Sequence, residues 1–184
     1  MREDAWLVVV DMQNVFADGS PWASPDYATA SAGIRRLMPA FGDRVVFTRY
    51  VAPAHPRGEW VQYFENAQFA LVPPDDPLYD FTSEFHPVKH PVVTREVFGK
   101  WGLDLKAVLG GASEIVLTGV STDCCVIATA LPAADDGVHV LVPADACAGA
   151  SPADHQKALD VMTLFTPLIE LTSVDALLAD VAAG

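Results

Sequence analysis

Short apolar runs alternate with longer amphipathic segments along almost the whole chain. The runs are four to six residues long and rich in β-branched residues, which is the pattern of buried strands in a parallel sheet. The longer segments place apolar residues at helical spacing. We therefore predict strands at residues 5–10, 44–48, 91–94, 114–118, 138–142 and 167–171, and helices at residues 27–41, 103–109, 122–136, 152–165 and 173–181.

The order of these elements predicts the α/β class. Strands that alternate with helices form right-handed βαβ units, which build a parallel sheet covered on both faces. A chain of this length usually forms one core. We expect one domain over residues 1–184, a doubly wound sheet of Rossmann type with about six mainly parallel strands. Sites in such sheets lie at the carboxyl ends of strands, near the topological switch point.

Several helix ends are marked by single residues. Gly110 and Gly111 should end the helix at 103–109, since glycine readily adopts the left-handed conformation found there. Ser151 is a plausible N-cap, with Pro152 at the first helical position. Pro132 is expected to kink the helix at 122–136.

The connection at residues 51–90 departs from the alternation. It is long and rich in proline and aromatic residues, and connections of this length are usually functional or form an interface. Trp60 and Phe64 are four residues apart, so they could share one face of a helix. Two compatible interpretations stay open: a satellite core or subunit contact, and a wall or lid of a pocket.

Composition and charge narrow the function classes. The formal net charge of −13 repels phosphate backbones and anionic membranes, so we expect neither nucleic acid nor membrane as a partner. The N-terminal apolar run lacks the features of a signal peptide, which favours a cytoplasmic protein. Three cysteines, two of them adjacent, argue against both a disulfide framework and a cysteine-based zinc site.

Two adjacent cysteines, Cys124 and Cys125, follow the strand at 114–118 and open the next helix. The partial positive charge of a helix N-terminus lowers the pKa of a thiol, and its free N–H groups can bind an oxyanion. The pattern therefore predicts a nucleophile beside its oxyanion hole. The alternative is two small buried hydrophobic residues, because free cysteine is usually buried.

Charged residues follow two other predicted strands. Asp11 ends the first apolar run, where a carboxylate is costly unless it is paired or functional; it could also cap the following turn. Arg95 and Lys100 follow the strand at 91–94 and could bring positive charge to the same edge of the sheet. By themselves they are weak evidence for a site, because cations that follow strands are usually solvated.

Together these segments resemble the isochorismatase-like cysteine hydrolases over almost the whole chain. The resemblance rests on VVVDMQNVF, GVSTDCCVIATALPAADDG, and VHVLVPADACA followed by DHQKAL. In that family an Asp, a Lys and a Cys form a triad, and the motifs place two of them at Asp11 and at Cys125 rather than Cys124. The resemblance also implies a cis peptide between Val120 and Ser121, which turns backbone amides toward the oxyanion.

The position of the triad cation departs from the family pattern. The family lysine lies three residues before an aromatic residue, and Arg95 has that position relative to Phe98. Lys100 comes five residues later. We favour Arg95 as the cation that contacts Asp11, with Lys100 as the alternative. A guanidinium supplies charge but does not readily transfer a proton.

The resemblance implies neither a metal nor another cofactor. Nicotinamidases of this superfamily carry an Asp-x-His motif after the second strand, and the stretch from Thr48 to His55 lacks it. Nicotinamidase activity is therefore disfavoured. The histidines show no ligand spacing; they are His55, His86, His90, His139 and His155.

The function that the resemblance implies is hydrolysis of a C–N bond in a small amide or N-carbamoyl compound, through a thioester on Cys125. Asp11 acts as the base, and amides of the turn that holds Val120, Ser121 and Cys125 bind the oxyanion. Two alternatives are an isochorismate-type vinyl-ether hydrolase, whose members lack the nucleophilic cysteine, and a non-catalytic binding or scaffold protein.

We expect the substrate pocket to include residues of the first motif and of the aromatic segments. The partners that we expect are a small-molecule substrate and further copies of the same chain, in a dimer or a tetramer. The predicted pocket residues are Gln13, Phe16, Trp60 and Trp101.

Overall fold

A computed structural model describes residues 1–183 and has a parallel sheet with helices on both faces. Of the helices in this range, none is long and apolar enough to cross a membrane. The strands are β1 (Trp6–Val10), β2 (Val45–Tyr50), β3 (Val92–Arg95), β4 (Glu114–Val120), β5 (His139–Pro143), β6 (Cys147–Ala148) and β7 (Ile169–Thr172). The α-helices are α1 (Tyr27–Phe41), α2 (Glu59–Glu65), α3 (Leu103–Leu109), α4 (Ile127–Asp135), α5 (Pro152–Thr163) and α6 (Val174–Ala183).

The strand order is β3-β2-β1-β4-β5-β7, and β6 pairs with the end of β4. Every pairing between these strands is parallel, which confirms the predicted doubly wound α/β class. All six predicted strands are present. The seventh, β6, was missed because two residues are too short to show a hydrophobic period.

The alternation of side chains along β1 explains why the sheet needs helices on both faces. Leu7 and Val9 belong to the hydrophobic core that also contains residues of α1 and α6. Val8 and Val10 belong to the opposite core, with residues of α3, α4 and α5. All four are fully buried. The continuous apolar run of β1 therefore supplies two cores, as expected for a central parallel strand.

The predicted helix ends are largely confirmed. Gly110 follows α3 in the left-handed conformation, with its N–H donating to the carbonyl oxygen of Lys106. The hydroxyl of Ser151 accepts a hydrogen bond from the backbone N–H of Asp154, 3.1 Å away, and caps α5. The helix predicted at 122–136 is divided, however. It begins as a π-helical turn, Thr122–Val126, before α4 starts.

The long connection at 51–90 serves the core and the pocket together. Phe64, Tyr79 and Phe85 are buried in the core shared with α1. Trp60 and Phe64 stack within α2 with ring centroids 6.0 Å apart, so they do share a helical face. The neighbouring Tyr63 lines a pocket. The satellite core and the pocket wall are thus two sides of one segment.

The topological switch point lies between β1 and β4, where the chain leaves the sheet in opposite directions. Val10 pairs with Gly119 at this place. Gly119 has a φ of +107°, and a Cβ there would overlap the carbonyl oxygen of Val10. A glycine at this position therefore permits both the backbone conformation and the close approach of the two strands.

We predict that Gly119→Ala lowers the free energy of unfolding by about 2–4 kcal/mol, because it adds a steric clash to an unfavourable φ. Gly137→Ala is the matched control. Gly137 also has a positive φ, +83°, but nothing lies within 4 Å of an added Cβ. Its variant should lose only the conformational part, about 1–2 kcal/mol. Urea denaturation of both variants measures the difference, and equal losses would contradict the close-approach argument.

Candidate active site

Asp11 is the first residue after β1, and its carboxylate is completely buried. Its φ of +51° is the left-handed conformation, which aspartate tolerates better than most residues. The backbone N–H donates to the carbonyl oxygen of Thr48 at 3.2 Å, and the Thr48 hydroxyl donates to Oδ1 at 2.6 Å. The end of β2 therefore fixes where the carboxylate lies.

The second oxygen of this carboxylate contacts Lys100. The Lys100 Nζ lies 2.8 Å from Asp11 Oδ2, and both side chains have no exposed surface. The ammonium also donates to the carbonyl oxygen of Val97 at 2.9 Å and lies 5.2 Å from the ring centroid of Tyr50. Every contact of this cation is thus with the protein interior, as a buried charge requires.

The prediction that Arg95 is the cation in contact with Asp11 was wrong. The Arg95 Nη1 lies 2.7 Å from Oδ1 of Asp104, in the first turn of α3, and the Arg95 side chain is 29% exposed. It ends the edge strand β3 beside that helix. The following loop then turns back and brings Lys100 to Asp11. The spacing to Phe98 could not show this, because a loop has no fixed rise per residue.

Cys125 lies in the π-helical turn after β4 and is 3% exposed, whereas Cys124 is only partly buried. The Thr129 hydroxyl connects it to the cation loop. This hydroxyl donates to the carbonyl oxygen of Cys125 at 2.7 Å and accepts from the backbone N–H of Lys100 at 2.8 Å. One side chain of α4 therefore joins the backbone of the thiol residue to the backbone of the lysine.

The expectation that a helix N-terminus lowers the pKa of this thiol was also wrong. Burial raises the pKa of Cys125 well above its usual range, and the negative charge of Asp11 raises it further, while Lys100 acts in the opposite direction. A hydrogen bond to Asp11 favours the protonated form as well. The resting group is therefore a neutral thiol beside a carboxylate.

The predicted turn at Val120 and Ser121 has the expected form, including a cis peptide bond between the two residues. The Ser121 carbonyl oxygen accepts from the backbone N–H groups of Cys124 and Val126, each at 3.1 Å. Asp123 Oδ1 accepts from the Ser121 hydroxyl at 2.6 Å and from the N–H of Ala150 at 2.8 Å. The carboxylate of Asp123 therefore ties this turn to the loop before α5.

A pocket of about 240 Å³ opens above Cys125. Phe16 lines it, as predicted, and stacks on Trp22 with ring planes 11° apart. Trp22 also contacts Phe69 and Tyr63, with centroids 5.0 and 6.1 Å away. The lining residues are Phe16, Pro21, Trp22, Ala23, Tyr50, Tyr63, Phe98, Ser121, Cys124, Cys125 and Ala150.

Three predicted pocket residues do not line this pocket. Gln13 lies behind its wall, where its side-chain amide bonds the backbone N–H and carbonyl of Tyr50 at 2.7 and 2.9 Å. Trp60 packs against Phe98 from the far side, with centroids 5.2 Å apart. Trp101 lies elsewhere and donates to Asp136. All three are aromatic or amide side chains whose packing direction the sequence does not reveal.

The pocket also contains three aromatic residues that were not predicted from the sequence: Trp22, Tyr50 and Tyr63. Trp22 lies in a stretch between β1 and α1 that shows no periodicity. Tyr50 is the last residue of β2, and the rule that strand ends form the site could have found it. Tyr63 was inside the aromatic connection, in which only Trp60 was selected.

Within residues 1–183, no group of three or more His, Cys, Asp and Glu side chains is arranged to hold a metal ion. Two of the histidines, His155 and His139, instead have hydrogen-bonding partners within the protein. His155 Nδ1 lies 2.8 Å from the Thr122 hydroxyl, and His139 Nδ1 lies 2.8 Å from a carboxylate oxygen of Glu114.

We predict that Lys100→Met lowers the free energy of unfolding by about 3–5 kcal/mol, because it leaves the buried carboxylate of Asp11 without its counter-ion. Arg95→Met should cost about 1 kcal/mol or less, since its partner Asp104 is half-exposed. Both variants remove one positive charge and keep a long apolar chain. Guanidinium denaturation compares them, and a larger loss in the Arg95 variant would contradict the assignment of Lys100.

We also predict a loss of stability at alkaline pH that depends on Cys125. The pKa of its thiol is raised in the folded state, so above about pH 9 the unfolded chain ionises while the folded chain keeps its proton. Folded stability then falls as the pH rises. In Cys125→Ala this fall should be shallower. Urea midpoints measured across this range, with Cys125→Ser as a size control, test the slope; identical slopes would contradict it.

The chain is similar in fold to several solved hydrolases. A cysteine hydrolase from Pseudomonas syringae pv. phaseolicola superposes with a TM-score of 0.86 at 20% identity, over 98% of this chain and 93% of that one. The pyrazinamidase of Pyrococcus horikoshii, in complex with zinc, has a TM-score of 0.75 at 24% identity, over 92% and 99% of the two chains. The N-carbamoylsarcosine amidase from Thermoplasma acidophilum has a TM-score of 0.73 at 20% identity, over 93% and 96%.

At these identities the similarity shows the fold, and among curated proteins none matches the chain significantly. The sequence family is clear nevertheless. The family model described as the isochorismatase domain matches residues 5–173, a range that includes β1, the cysteine turn and every strand of the sheet. The chain therefore belongs to the isochorismatase family.

Proposed function

We propose that this protein is a cysteine hydrolase that cleaves the C–N bond of a small amide or N-carbamoyl compound. The observation that carries the proposal is the arrangement of Cys125, Asp11 and Lys100. The thiol lines the pocket, the carboxylate accepts its hydrogen bond, and a buried ammonium contacts the carboxylate. A nucleophile held beside a base that is itself oriented by a third group is the signature of covalent catalysis.

The first step forms a thioester. Asp11 takes the thiol proton as the sulfur attacks the carbonyl carbon, so no free thiolate accumulates in the buried site. The raised pKa of Cys125 makes this coupling necessary, because a thiolate formed in advance would be poorly stabilised. The C–N bond then breaks, and Asp11 returns the proton to the leaving nitrogen, which departs as ammonia or an amine.

The second step hydrolyses the thioester. A water molecule enters the place of the amine, Asp11 removes its proton, and the C–S bond breaks. The acid leaves, and the proton returns to the sulfur of Cys125. One carboxylate thus serves as base and acid in turn, and the reaction consumes one water for each C–N bond.

Two further groups support these steps. Backbone amides of the turn that holds Val120, Ser121 and Cys125 would bind the oxyanion. The Cys124 amide already donates to Ser121, so we assign the oxyanion to the Cys125 amide first. Lys100 keeps a positive charge beside Asp11 through the cycle, which holds the carboxylate in place and balances its charge.

The two alternatives have less support. An isochorismate-type vinyl-ether hydrolase needs no thiol, whereas Cys125 lines the floor of the pocket. A non-catalytic scaffold was considered because arginine stands at the family's lysine position. Lys100, however, places a positive charge beside Asp11. Assembly into a dimer or tetramer stays a prediction.

We predict that Cys125→Ser lowers kcat/KM by on the order of 10³-fold or more on any small amide that the protein hydrolyses, because a hydroxyl is a much weaker nucleophile there. Cys124→Ser is the matched control, one residue away, and should keep kcat within about tenfold. A screen of amides, ureas and N-carbamoyl compounds supplies the substrate. Intact-mass spectrometry of a quenched reaction should find the acyl group on Cys125.

Equal losses in the two variants would indicate that the cysteines have a packing role. Vinyl-ether hydrolysis that persists in Cys125→Ala would favour the second enzyme class instead.

A further inference from the structure

The walls of the pocket above Cys125 are aromatic and carry no charge. Five rings face it, those of Phe16, Trp22, Tyr50, Tyr63 and Phe98, and in the described part of the chain no Lys, Arg, His, Asp or Glu side chain is among the lining residues. Burial raises the pKa of both tyrosines, so their phenols are neutral at physiological pH. The pocket therefore presents ring faces and a few neutral polar atoms.

Two charged side chains contact residues of the pocket lining, and both have partners within the protein. Lys100 has no exposed surface and contacts Asp11 and the carbonyl of Val97. Asp123 Oδ1 accepts hydrogen bonds from Ser121 and Ala150, and its Oδ2 accepts one from the Cys124 thiol at 3.6 Å. Lys100 cannot meet an anionic ligand without losing its contact with Asp11.

The net negative charge of the protein also disfavours the binding of anions. The chain has a formal net charge of −13, which lowers the local concentration of anions around the molecule. An anion that did enter would lose its hydration without finding a cation, and an unpaired charge in an apolar site is strongly disfavoured. A cation would gain some attraction from the rings, but no carboxylate lines the pocket to replace its hydration.

We propose that the substrate is an uncharged amide with a single aromatic ring or a body of similar apolar bulk, and that amides bearing a carboxylate, N-carbamoyl amino acids among them, are excluded. This inference rests on the proposed function. A volume of about 240 Å³ is below the 300 Å³ or so of the smallest typical ligand pockets, which suits a small ligand such as one with a single ring.

The test uses three amides that differ in one group: 4-methylphenylacetamide, 4-(carbamoylmethyl)benzoate and 4-(aminomethyl)phenylacetamide. They share the ring and the scissile amide, and they are neutral, anionic and cationic at neutral pH. The wild-type protein should hydrolyse the neutral compound with a kcat/KM at least about 100-fold above that of the anion and above that of the cation. A value for either charged compound equal to or above the neutral one would overturn the inference.

Binding to Cys125→Ser, measured by calorimetry, separates this inference from the proposed function. If no amide is hydrolysed but the neutral compound still binds most tightly, the proposed hydrolase function fails and the pocket assignment stands. If hydrolysis occurs but the anion binds as tightly as the neutral compound, the pocket assignment fails. Absence of binding by the neutral compound at millimolar concentration would also overturn it.

A single substitution should weaken the preference for the neutral compound. Tyr63 is 39% exposed, so Tyr63→Arg can place a guanidinium at the pocket without burying it fully. It should raise kcat/KM for the carboxylate compound about tenfold or more relative to Tyr63→Gln, which removes the same ring without adding charge. Circular dichroism confirms that both variants are folded. No gain for the anion in a folded Tyr63→Arg would contradict the charge argument.

Discussion

The ion pair between Asp11 and Lys100 is the interaction on which the rest of the site depends. Two opposite charges with no exposed surface, 2.8 Å apart, are tolerated in the interior because each compensates for the hydration that the other has lost. Neither can be moved or removed alone. The surrounding backbone therefore has to deliver a carboxylate from β1 and an ammonium from the loop after β3 to the same buried point, on the side of the sheet where the switch point lies.

Packing of the loop after β3 against α4 places Lys100 beside Asp11. Gly99, next to Lys100, lies so close to the carbonyl oxygen of Ala128 that a Cβ would approach it to 2.7 Å. Pro132, four residues further along, lacks the N–H that would normally bond this carbonyl. Together with the Thr129 bridge, these contacts join the lysine loop to the helix that follows the nucleophile. The segments that carry the thiol and the two charges are thus packed against one another.

Sequence patterns predicted the parts of this site that follow a period or a motif. The apolar runs located the strands, and the strand ends located Asp11 and Cys125, because parallel strands bring their carboxyl ends to one edge. The cation was misplaced, since Lys100 is reached through a loop whose turns leave no mark on spacing. The pKa of Cys125 was misjudged for another reason: a local helix effect was predicted, and burial, which depends on the whole fold, is larger. Trp22 was missed because its role arises only from tertiary packing.

The aromatic pocket has a consequence for the direction of the reaction. Hydrolysis of a primary amide would convert a neutral ligand into a carboxylate and an ammonium ion, both of them charged and both poorly held by rings without a counter-ion. The walls that favour entry of the substrate would thus disfavour retention of its products, and the acidic surface would repel the acid once it leaves. Accumulated acid should therefore inhibit such an enzyme only weakly. The same lack of a cation that would make the pocket selective would also limit rebinding of the product.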